Sequence, residues 1–443
     1  MFFERPEAGR KAVLLHVNFK RPDANEALDT VAECAELART AVIDVAALVT
    51  ARRDAPHPRW YVGEGKLVEI ESELSASDAE LLVVNHELSA GQQRNLEKRL
   101  DCRVMTRTEL ILHIFADRAR TYEGHLQVEL AQLNHAQTRL VRGWTHLDRQ
   151  KGGIGLKGAG ETQLELDQRM ISERIKGLQK KLEAVARRRG QGRRRRSRGH
   201  VRTVALVGYT NAGKSTLFNA LTAAGVSAED KLFATLDPTM RRVSIPGVGD
   251  VVLADTVGFI SNLPHSLVDA FKATLEEVAN ADLLLHVVDA GAEDVDSRIR
   301  QVDAVLDEIG ACDIPTIMVH NKIDTLPPRD EVDAARTDVV AVSALTGQGL
   351  DKLVTAVGAR FGVTAPVEVL LAPDEGRTRA WLYRLGAVLD ESIREDGSVA
   401  LTVQADADLL ARLARREPNV PQQRPRRHET RHRTFVAPPQ GRP

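Results

Sequence analysis

The chain has 443 residues and a formal net charge of −1, with 43% hydrophobic and 28% charged residues. This length is too great for one ordinary core, so we expect several domains, and the composition excludes a disordered or fibrous protein. No apolar run approaches the ~20 residues that span a bilayer, and no signal peptide is evident, which favours a cytoplasmic protein with no membrane span.

Short apolar runs alternate with amphipathic stretches over residues 1–122. The apolar runs at 12–17, 42–49 and 79–84 predict strands, and 27–40, 92–100 and 108–119 predict helices. Strands that alternate with helices are typical of an α/β domain with a largely parallel sheet. The cysteines Cys34, Cys102 and Cys312 lie too far apart in sequence to suggest a metal cluster or a disulfide framework, so we expect reduced, buried thiols.

Two helical patterns of apolar residues follow over 123–189. The first consists of Leu126, Leu130, Leu133 and Leu140, and the second of Ile171, Ile175, Leu178, Leu182 and Val185. Both patterns have the spacing of a helix–helix seam. The glycine-rich run at 151–160 between them cannot continue a helix comfortably. We therefore expect an antiparallel helical hairpin with a glycine-rich tip, whose second helix covers 161–189.

An arginine-rich segment comes next, with eight arginines among residues 187–198. Residues 190–200 are expected to form a flexible basic linker. Lys and Arg outnumber Asp and Glu by 13 over residues 139–202 and by 7 over 412–443, which leaves a net charge of about −21 on the remainder. This separation of charge favours a polyanionic partner, and a merely solvated charge run is the alternative.

A phosphate-binding loop is predicted where the apolar run 204–208 meets a helical stretch at 216–222. The sequence between them, Gly208-Tyr-Thr-Asn-Ala-Gly-Lys-Ser215, is G-x-x-x-x-G-K-S in the strand–helix context of a P-loop. Loop N–H groups would cradle the β-phosphate, Lys214 would reach the β- and γ-phosphates, and Ser215 would ligate Mg²⁺. The predicted nucleotide contacts here are Gly208, Tyr209, Thr210, Asn211, Ala212, Gly213, Lys214, Ser215 and Thr216.

Three further motifs each follow a predicted strand. In Asp255-Thr-Val-Gly258, the aspartate would hold Mg²⁺ through water and the glycine N–H would sense the γ-phosphate. In Asn321-Lys-Ile-Asp324, the last carboxylate would accept from guanine donors that adenine lacks. The backbone of Ser343-Ala-Leu345 would read the guanine O6. The predicted contacts are Asp255, Thr256, Val257, Gly258, Asn321, Lys322, Asp324, Ser343, Ala344 and Leu345.

Together the four motifs predict a Mg²⁺-dependent, GTP-binding and GTP-hydrolysing domain of the Ras-like P-loop class over 201–362. Its first switch must lie between the P-loop and the second motif, and we assign it to Phe233, Ala234, Thr235, Leu236 and Asp237. Thr235 is the candidate second Mg²⁺ ligand beside Ser215, with Thr239 as its rival. The predicted catalytic residues are Lys214, Thr235 and Gly258. Phe259 stands where many GTPases have a water-orienting glutamine, which predicts slow intrinsic hydrolysis.

The C-terminal part divides in two. Strand-like runs at 367–371 and 398–403 and helical patterns at 381–393 and 407–413 predict a small α/β domain over 363–415. Residues 416–443 are rich in Pro, Gln, Arg and His, which is typical of a disordered basic tail.

The chain up to about residue 415 resembles the HflX-type ribosome-associated GTPases. The stretches that carry the resemblance are Tyr61-Val-Gly-Glu-Gly-Lys66, Asn85-His-Glu-Leu-Ser89, Arg94-Asn-Leu-Glu97, Arg107-Thr-Glu-Leu-Ile-Leu112, Gln127-Val-Glu-Leu-Ala-Gln132, Gly152-Gly-Ile-Gly155, Gly160-Glu-Thr162, Gly258-Phe-Ile260 and Leu263-Pro-His265. The chain departs from the family pattern at Ala159, where proline is usual, and at Thr106, where aspartate is frequent.

The resemblance implies an N-terminal domain that docks on the large ribosomal subunit (50S) and its rRNA, and a hairpin tip that approaches the peptidyl-transferase centre. It implies GTP and GDP as ligands and a role in splitting or rescuing stalled ribosomes under stress. In related GTPases an asparagine that matches Asn211 helps to coordinate K⁺, so K⁺ is a candidate cofactor. The alternative is that Asn211 only tolerates a strained loop backbone.

Two other functions stay open at this point. The resemblance permits an additional ATP-dependent RNA-remodelling activity in the N-terminal domain, although Gly63-Glu-Gly65-Lys66 is a poor phosphate loop. A GTP-regulated scaffold for a non-ribosomal partner is the second alternative. We expect a monomer in either case.

Overall fold

The computed structural model describes residues 11–19, 26–143, 159–198, 201–222, 232–261, 275–292, 294–327, 338–363, 366–394, 396–405 and 413. The chain forms two compact units. The first comprises the described parts of residues 1–190, 230–237 and 260–273, and the second those of 191–229, 238–259 and 274–443. The predicted α/β multidomain class is confirmed. The predicted hairpin tip, apart from its last two residues, the tail from 416 and all of the predicted helix at 407–413 except Leu413 lie outside the described residues.

The first unit contains a parallel sheet in the order β2-β1-β3-β4. Its strands are β1 (Lys11–Phe19), β2 (Asp44–Arg53), β3 (Leu81–Val84) and β4 (Arg103–Thr106). Its helices are α1 (Glu26–Thr40), α2 (Glu64–Ser77), α3 (Ala90–Leu100) and α4 (Arg107–Arg118). Because parallel strands end at one edge of the sheet, polar residues that follow them, such as Asn85 and Arg107, come together there.

The sequence analysis did not predict β4 and α2. Strand β4 has four residues and begins with an arginine, so it carries almost no periodic signal. Helix α2 buries Leu67, Ile70 and Leu74, whose spacing of three and four residues is a helical signal that was present in the sequence.

Helices α5 (Tyr122–Gly143) and α6 (Ala159–Arg198) bring the two apolar patterns into one cluster. The members of this cluster are Leu126, Leu130, Leu133, Ile171, Ile175 and Leu178, with Leu182 packed against them. The ion pairs Arg174–Glu129 and Arg189–Glu123, both 2.6 Å, join the same two helices.

The expected end of the second helix at Arg189, with a flexible linker after it, is wrong. Helix α6 continues to Arg198. Arginine is a strong helix former, whereas a single glycine such as Gly190 or Gly192 costs a helix only about 1 kcal/mol relative to alanine. About two and a half more turns of arginine-rich helix therefore outweigh two glycines, and most of the arginine run is part of helix α6.

The second unit contains a six-stranded sheet in the order β10-β9-β8-β5-β7-β6. Its elements are β5 (Arg202–Val207), α7 (Lys214–Thr222), β6 (Thr239–Ile245), β7 (Gly249–Asp255), β8 (Leu283–Asp289), α8 (Val295–Glu308), β9 (Thr316–Asn321), a 3₁₀ turn (Ile323–Thr325), β10 (Val339–Ala341) and α9 (Leu350–Arg360). Only the β6–β7 pair is antiparallel in this sheet. The carboxyl ends of the other described strands therefore meet at one edge, where open α/β sheets bind ligands.

A small antiparallel sheet, β11-β13-β12, completes the second unit. It consists of β11 (Val367–Leu371), helix α10 (Gly376–Arg384), β12 (Val388–Ile393) and β13 (Val399–Val403). The predicted helix at 381–393 is wrong in its second half, because the helix ends before Gly386, whose φ is +63°. The chain then turns into β12.

Two other sequence expectations can be compared with the described residues. Cys34 is buried and Cys102 half-buried, but Cys312 is exposed, so the expectation of buried thiols is wrong for Cys312. In the part of the chain that the structure describes, no helix combines the length and the apolar character needed to cross a membrane.

Candidate nucleotide-binding site

The loop between β5 and α7 has a backbone that only glycine can adopt at two positions. Gly208 has a φ of +145°, and a Cβ there would lie 2.1 Å from the Val287 carbonyl oxygen. Gly213 has a φ of +88°, and a Cβ there would lie 2.2 Å from Asn321 Nδ2. The loop ends at the N-terminus of α7, so its N–H groups and the helix dipole together favour an anion.

Lys214 is the first residue of α7 and its side chain is folded over the loop. Its ammonium group donates to the carbonyl oxygens of Gly208 at 2.9 Å and Tyr209 at 2.7 Å. The residue is only 6% exposed. Burial lowers the pKa of Lys214 to about 8, and the Asp255 carboxylate opposes this change. The negative charge of a phosphate bound in the loop would stabilise the charged ammonium group and so raise the pKa of Lys214 again.

Ser215 and Asp255 lie together at the same edge of the sheet. The Ser215 hydroxyl donates to Asp255 Oδ2 at 2.7 Å, and Asp255 is completely buried at the end of β7. Hydroxyl and carboxylate oxygens are the hard donors that Mg²⁺ prefers beside phosphate. This pair fits a magnesium ion that takes Ser215 directly and is held by Asp255 through water.

The segment after β7 lies directly against the P-loop. The Thr210 N–H donates to the Phe259 carbonyl at 2.7 Å, and the Phe259 N–H donates to the Gly208 carbonyl at 3.2 Å. A Cβ at Gly258 would lie 2.9 Å from Lys214 Nζ and 2.8 Å from Thr210 Cγ2. Glycine at 258 is therefore required by close approach. The neighbouring Phe259 ring is 3% exposed and cannot hydrogen-bond a water molecule.

Asn321 joins the P-loop to the segment Ser343-Ala-Leu345. Its Nδ2 donates to the Ala212 carbonyl, and its Oδ1 accepts from the Ala344 N–H, both at 2.9 Å. Asn321 and Ser343 are buried, whereas Asp324 on the 3₁₀ turn is exposed and Leu345 is 79% exposed. The Asn321 side chain thus fixes the P-loop relative to Ser343-Ala-Leu345, and Asp324 is accessible to a ligand.

Two residues near the site were missed by the sequence analysis. Asp289 is the last residue of β8 and forms an ion pair with Lys322 at 2.9 Å. This ion pair holds Asp289 beside Asn321. His286 is buried on β8, 3.8 Å from Asp303. Burial, followed by the charges of Lys214 and His320, lowers the pKa of His286 to about 4, so this imidazole is neutral at physiological pH. Asp289 directly follows a predictable strand, but nothing in the sequence marks His286.

The structure brings together most of the predicted site residues in the second unit. These are residues 208–216, 255–258, 321, 322, 324 and 343–345. The assigned first switch, by contrast, belongs to the first unit. There Phe233 packs edge-on against Phe115 at 4.6 Å between ring centroids, and Asp237 accepts from the backbone N–H groups of Arg120 and Thr121. The metal role of Thr235 stays a prediction, as does that of its rival Thr239, which lies opposite Asp255 in the β6–β7 ladder.

Four family models match successive parts of the chain. They are described as GTP-binding GTPase N-terminal (residues 29–116), GTP-binding GTPase middle region (118–196), 50S ribosome-binding GTPase (203–322) and HflX C-terminal domain (331–427). The GTPase HflX of Escherichia coli (strain K12) is 51% identical over 421 residues, which cover 94% of this chain and 98% of that protein. The chain belongs to the HflX family of GTPases.

A second relative agrees with this assignment. The GTPase HflX of Magnetococcus marinus is 46% identical and covers 93% of this chain and 96% of its own length. Among solved structures, a GTP-binding protein from the archaeon Sulfolobus solfataricus in complex with GDP covers 79% of this chain and 98% of its own, with 24% identity and a TM-score of 0.43. As a member of the HflX family, this chain binds GTP and hydrolyses it to GDP and phosphate.

Proposed function

We propose that this HflX-family GTPase is a monomeric cytoplasmic switch that binds the large ribosomal subunit in its GTP state and splits or rescues stalled ribosomes. The family model matched by residues 203–322 is described as a 50S ribosome-binding GTPase, which supports the choice of partner. The observation that carries the proposal is helix α6, which extends the hairpin without a break into the arginine run.

Helix α6 suits RNA better than a protein surface. Residues 187–198 contain eight arginines, and all of them belong to helix α6. Guanidinium groups bind phosphate in two-pronged geometry and displace counterions from the RNA backbone. A rod with this charge is therefore matched to a partner that surrounds it with phosphates, as rRNA does.

Each part of the GTP site has a proposed task. The P-loop N–H groups and Lys214 bind the β- and γ-phosphates, and the Gly258 N–H detects the γ-phosphate. Mg²⁺, when bound by Ser215 and held by Asp255 through water, would neutralise charge that develops on the phosphate oxygens. Asn321 holds the frame in which Asp324 accepts from guanine and the backbone of Ser343-Ala-Leu345 faces its O6. A base that lacks these donors would leave the Asp324 carboxylate unpaired, which makes the arrangement selective for guanine.

The proposal assigns a task to each segment of the chain. Residues 1–122 dock on the subunit, and residues 123–198 form the hairpin that leads to the G domain at 201–362. Residues 363–415 form the small C-terminal domain, and 416–443 add a basic tail. The hairpin tip would approach the peptidyl-transferase centre.

Cosedimentation tests the partner. Purified large subunits are mixed with the full chain and a non-hydrolysable GTP analogue, GDP or no nucleotide, and the pellet is quantified. We expect binding with the analogue and much weaker binding with GDP. Light scattering of intact ribosomes after addition of the protein and GTP then tests splitting. Equal pelleting in the three conditions would contradict a GTP switch, and no pelleting in any of them would favour a non-ribosomal partner.

The contacts of the N-terminal domain do not favour the ATP-dependent alternative. Lys66, the lysine of the glycine-rich segment, forms an ion pair with Glu69 at 2.6 Å. Gly63 has an ordinary φ of −81° as the N-cap of α2, unlike the glycines of the P-loop. This segment therefore begins a helix in the common way and is not wound around a phosphate.

A further inference from the structure

The loop that joins β2 to α2, residues 54–63, stacks three planar side chains. The Arg59 guanidinium carbon lies 4.5 Å from the centre of the Trp60 ring. The His57 ring lies 5.7 Å from the Trp60 ring, with an interplanar angle of 12°. Arg59 is exposed, whereas Trp60 is half-buried and packs on the core of the unit. The stack thus has a fixed inner part and an accessible cationic part.

Hydrogen bonds fix this loop before any partner arrives. The backbone N–H groups of Arg59 and Trp60 donate to His57 Nδ1 at 3.2 and 3.3 Å. From helix α3, Gln92 donates to the His57 carbonyl at 2.9 Å and Asn95 donates to the Arg59 carbonyl at 3.1 Å. A partner that binds the stack therefore loses little affinity to ordering the loop.

Tyr61 shows that the loop is held in a strained conformation. It has a φ of +67°, a left-handed value that costs a bulky residue of the order of 1–3 kcal/mol. The ring is buried, edge-on to Phe19 at 5.8 Å and close to His86 at 5.5 Å. The core contacts of Tyr61 hold the chain reversal that leaves Arg59 exposed. Such strain is concentrated at functional sites.

The charge around the loop is positive. Residues 52–66 contain four Lys and Arg against two acids, Asp54 and Glu64, both exposed. Among the described residues no carboxylate lies within ion-pair distance of the Arg59 guanidinium, whose close contact is the Trp60 ring. Its N–H groups remain able to donate to a ligand while its flat face is supported from behind.

We propose that Arg59, supported by Trp60, is a stacking platform for one unpaired RNA base, with its N–H groups directed to the adjacent phosphate. Guanidinium planes and aromatic rings are the groups on which proteins stack bases that have left a helix. An acidic peptide would satisfy the charge of Arg59 but would have no use for its flat, fixed face. The inference rests on the proposed function, since the ribosome supplies the RNA.

The test uses the full chain and a single-stranded RNA oligonucleotide that carries 5-iodouridine. After ultraviolet irradiation, the crosslinked peptides are mapped by mass spectrometry at a salt concentration that weakens binding to the arginines of α6. We expect a crosslink in residues 54–63. Arg59→Lys keeps the charge but removes the planar group, and should lower its yield about tenfold, the effect of losing one stacked base. Arg52→Lys, at an exposed arginine of the neighbouring strand, is the control and should leave it unchanged.

Three outcomes would overturn the inference: equal yields from Arg59→Lys and the wild type, crosslinks only outside residues 54–63, or equal competition by duplex and single-stranded RNA. The cosedimentation described above separates this inference from the proposed function. Subunit binding with unchanged crosslinking in Arg59→Lys would remove only the stacking platform. Failure of the wild type to bind subunits, with the expected crosslink present, would remove only the ribosomal role.

Discussion

Asn321 shows how one side chain can couple two separate motifs. Its amide bridges the P-loop carbonyl of Ala212 and the N–H of Ala344, so phosphate-binding and base-reading segments share one support. The Ala212 carbonyl and the Ala344 N–H are buried together with the Asn321 amide. An unpaired donor or acceptor in such a buried position costs ~1–3 kcal/mol. The neighbouring Asp324 makes no comparable structural bond in the described residues and is exposed, as its proposed role in base selection requires.

Asp324→Asn should weaken GTP binding about 10- to 100-fold, because an amide cannot accept both guanine donors as a carboxylate does. Xanthosine nucleotides should gain relative to GTP, since the amide can donate to their additional oxygen. Titration with fluorescent GTP, GDP and xanthosine nucleotides measures both effects. Asp313→Asn, an exposed aspartate of the same unit, is the control. Unchanged GTP affinity in Asp324→Asn would rule out its assignment as base reader.

Two properties of asparagine bear on position 211: its tolerance of an unusual backbone conformation and its side-chain amide. Its φ of +61° is left-handed, a region that asparagine tolerates better than most residues. If its amide oxygen also coordinates K⁺, hydrolysis should be faster in KCl than in NaCl of equal ionic strength. Asn211→Gly keeps the backbone conformation and removes the amide, so it should abolish the difference. Equal wild-type rates in the two salts would contradict a role of K⁺.

The segment that leads into helix α5 is held by a residue far away in sequence. Asp237 accepts from the N–H groups of Arg120 at 2.9 Å and Thr121 at 2.8 Å, immediately before the helix begins. Gly124 is required here, because a Cβ would lie 2.3 Å from Asp237 Oδ1. Thr121 is the N-cap, since its Oγ1 accepts from the Gly124 N–H at 2.9 Å, and the Asp237 carboxylate holds Thr121 in place.

Asp237→Ala should destabilise this end of α5 by up to about 1 kcal/mol, the typical cost of a lost helix cap, because the carboxylate no longer holds the cap residue Thr121. Hydrogen exchange followed by mass spectrometry should show faster exchange of the amides at 120–125. Asp237→Asn keeps an acceptor oxygen and should retain most of the protection. Exchange at 120–125 that is the same in the wild type and Asp237→Ala would show that the cap has no energetic weight.

The arginines of α6 should determine how binding to large subunits depends on salt. Replacement of Arg193, Arg194, Arg195 and Arg196 by glutamine preserves helix propensity and removes four charges. The slope of log affinity against log salt should become shallower by up to about 3, since each neutralised phosphate contributes 0.7–0.9. Arg169→Gln, at an exposed position of the same helix, should change the slope little. An unaltered slope after the fourfold replacement would identify the run as a solvated surface.

Elements with a strong periodic signal could be predicted from the sequence, and elements that depend on context could not. The α5–α6 seam follows from the spacing of Leu126 to Leu133 and Ile171 to Leu178, which the structure packs together. Strand β12 was missed because Val388 to Ile393 contains three acidic or hydroxyl residues and acquires its form by pairing with β13. Pairing across a sheet is a tertiary effect that propensity does not report.

At the scale of the whole molecule, each compact unit consists of several separate segments of the chain. The described residues 232–237, 260 and 261 lie next to strands β6 and β7 in the sequence but belong to the first unit. In that unit Ser261 accepts from Arg107 at 3.2 Å, and Arg107 is paired with Glu33 at 2.8 Å. A single polar contact between residues more than 100 positions apart leaves no repeating pattern in the sequence. The four motifs could therefore be predicted, whereas the assignment of these segments to the first unit could not.

The segment that follows Gly258 bears on the rate of hydrolysis. Phe259 is buried and offers no group to orient the attacking water, and Ser261 two residues later is bonded to Arg107. The isolated protein should therefore hydrolyse GTP slowly, at a rate of the order of 10⁻³ s⁻¹ or below, as GTPases do without a partner's contribution. Large subunits should accelerate turnover at least about tenfold if they supply or position the missing group. Single-turnover measurements with and without subunits test this prediction. Asp324→Asn is the control for nucleotide loading. Fast hydrolysis by the protein alone would show that another side chain already orients the water.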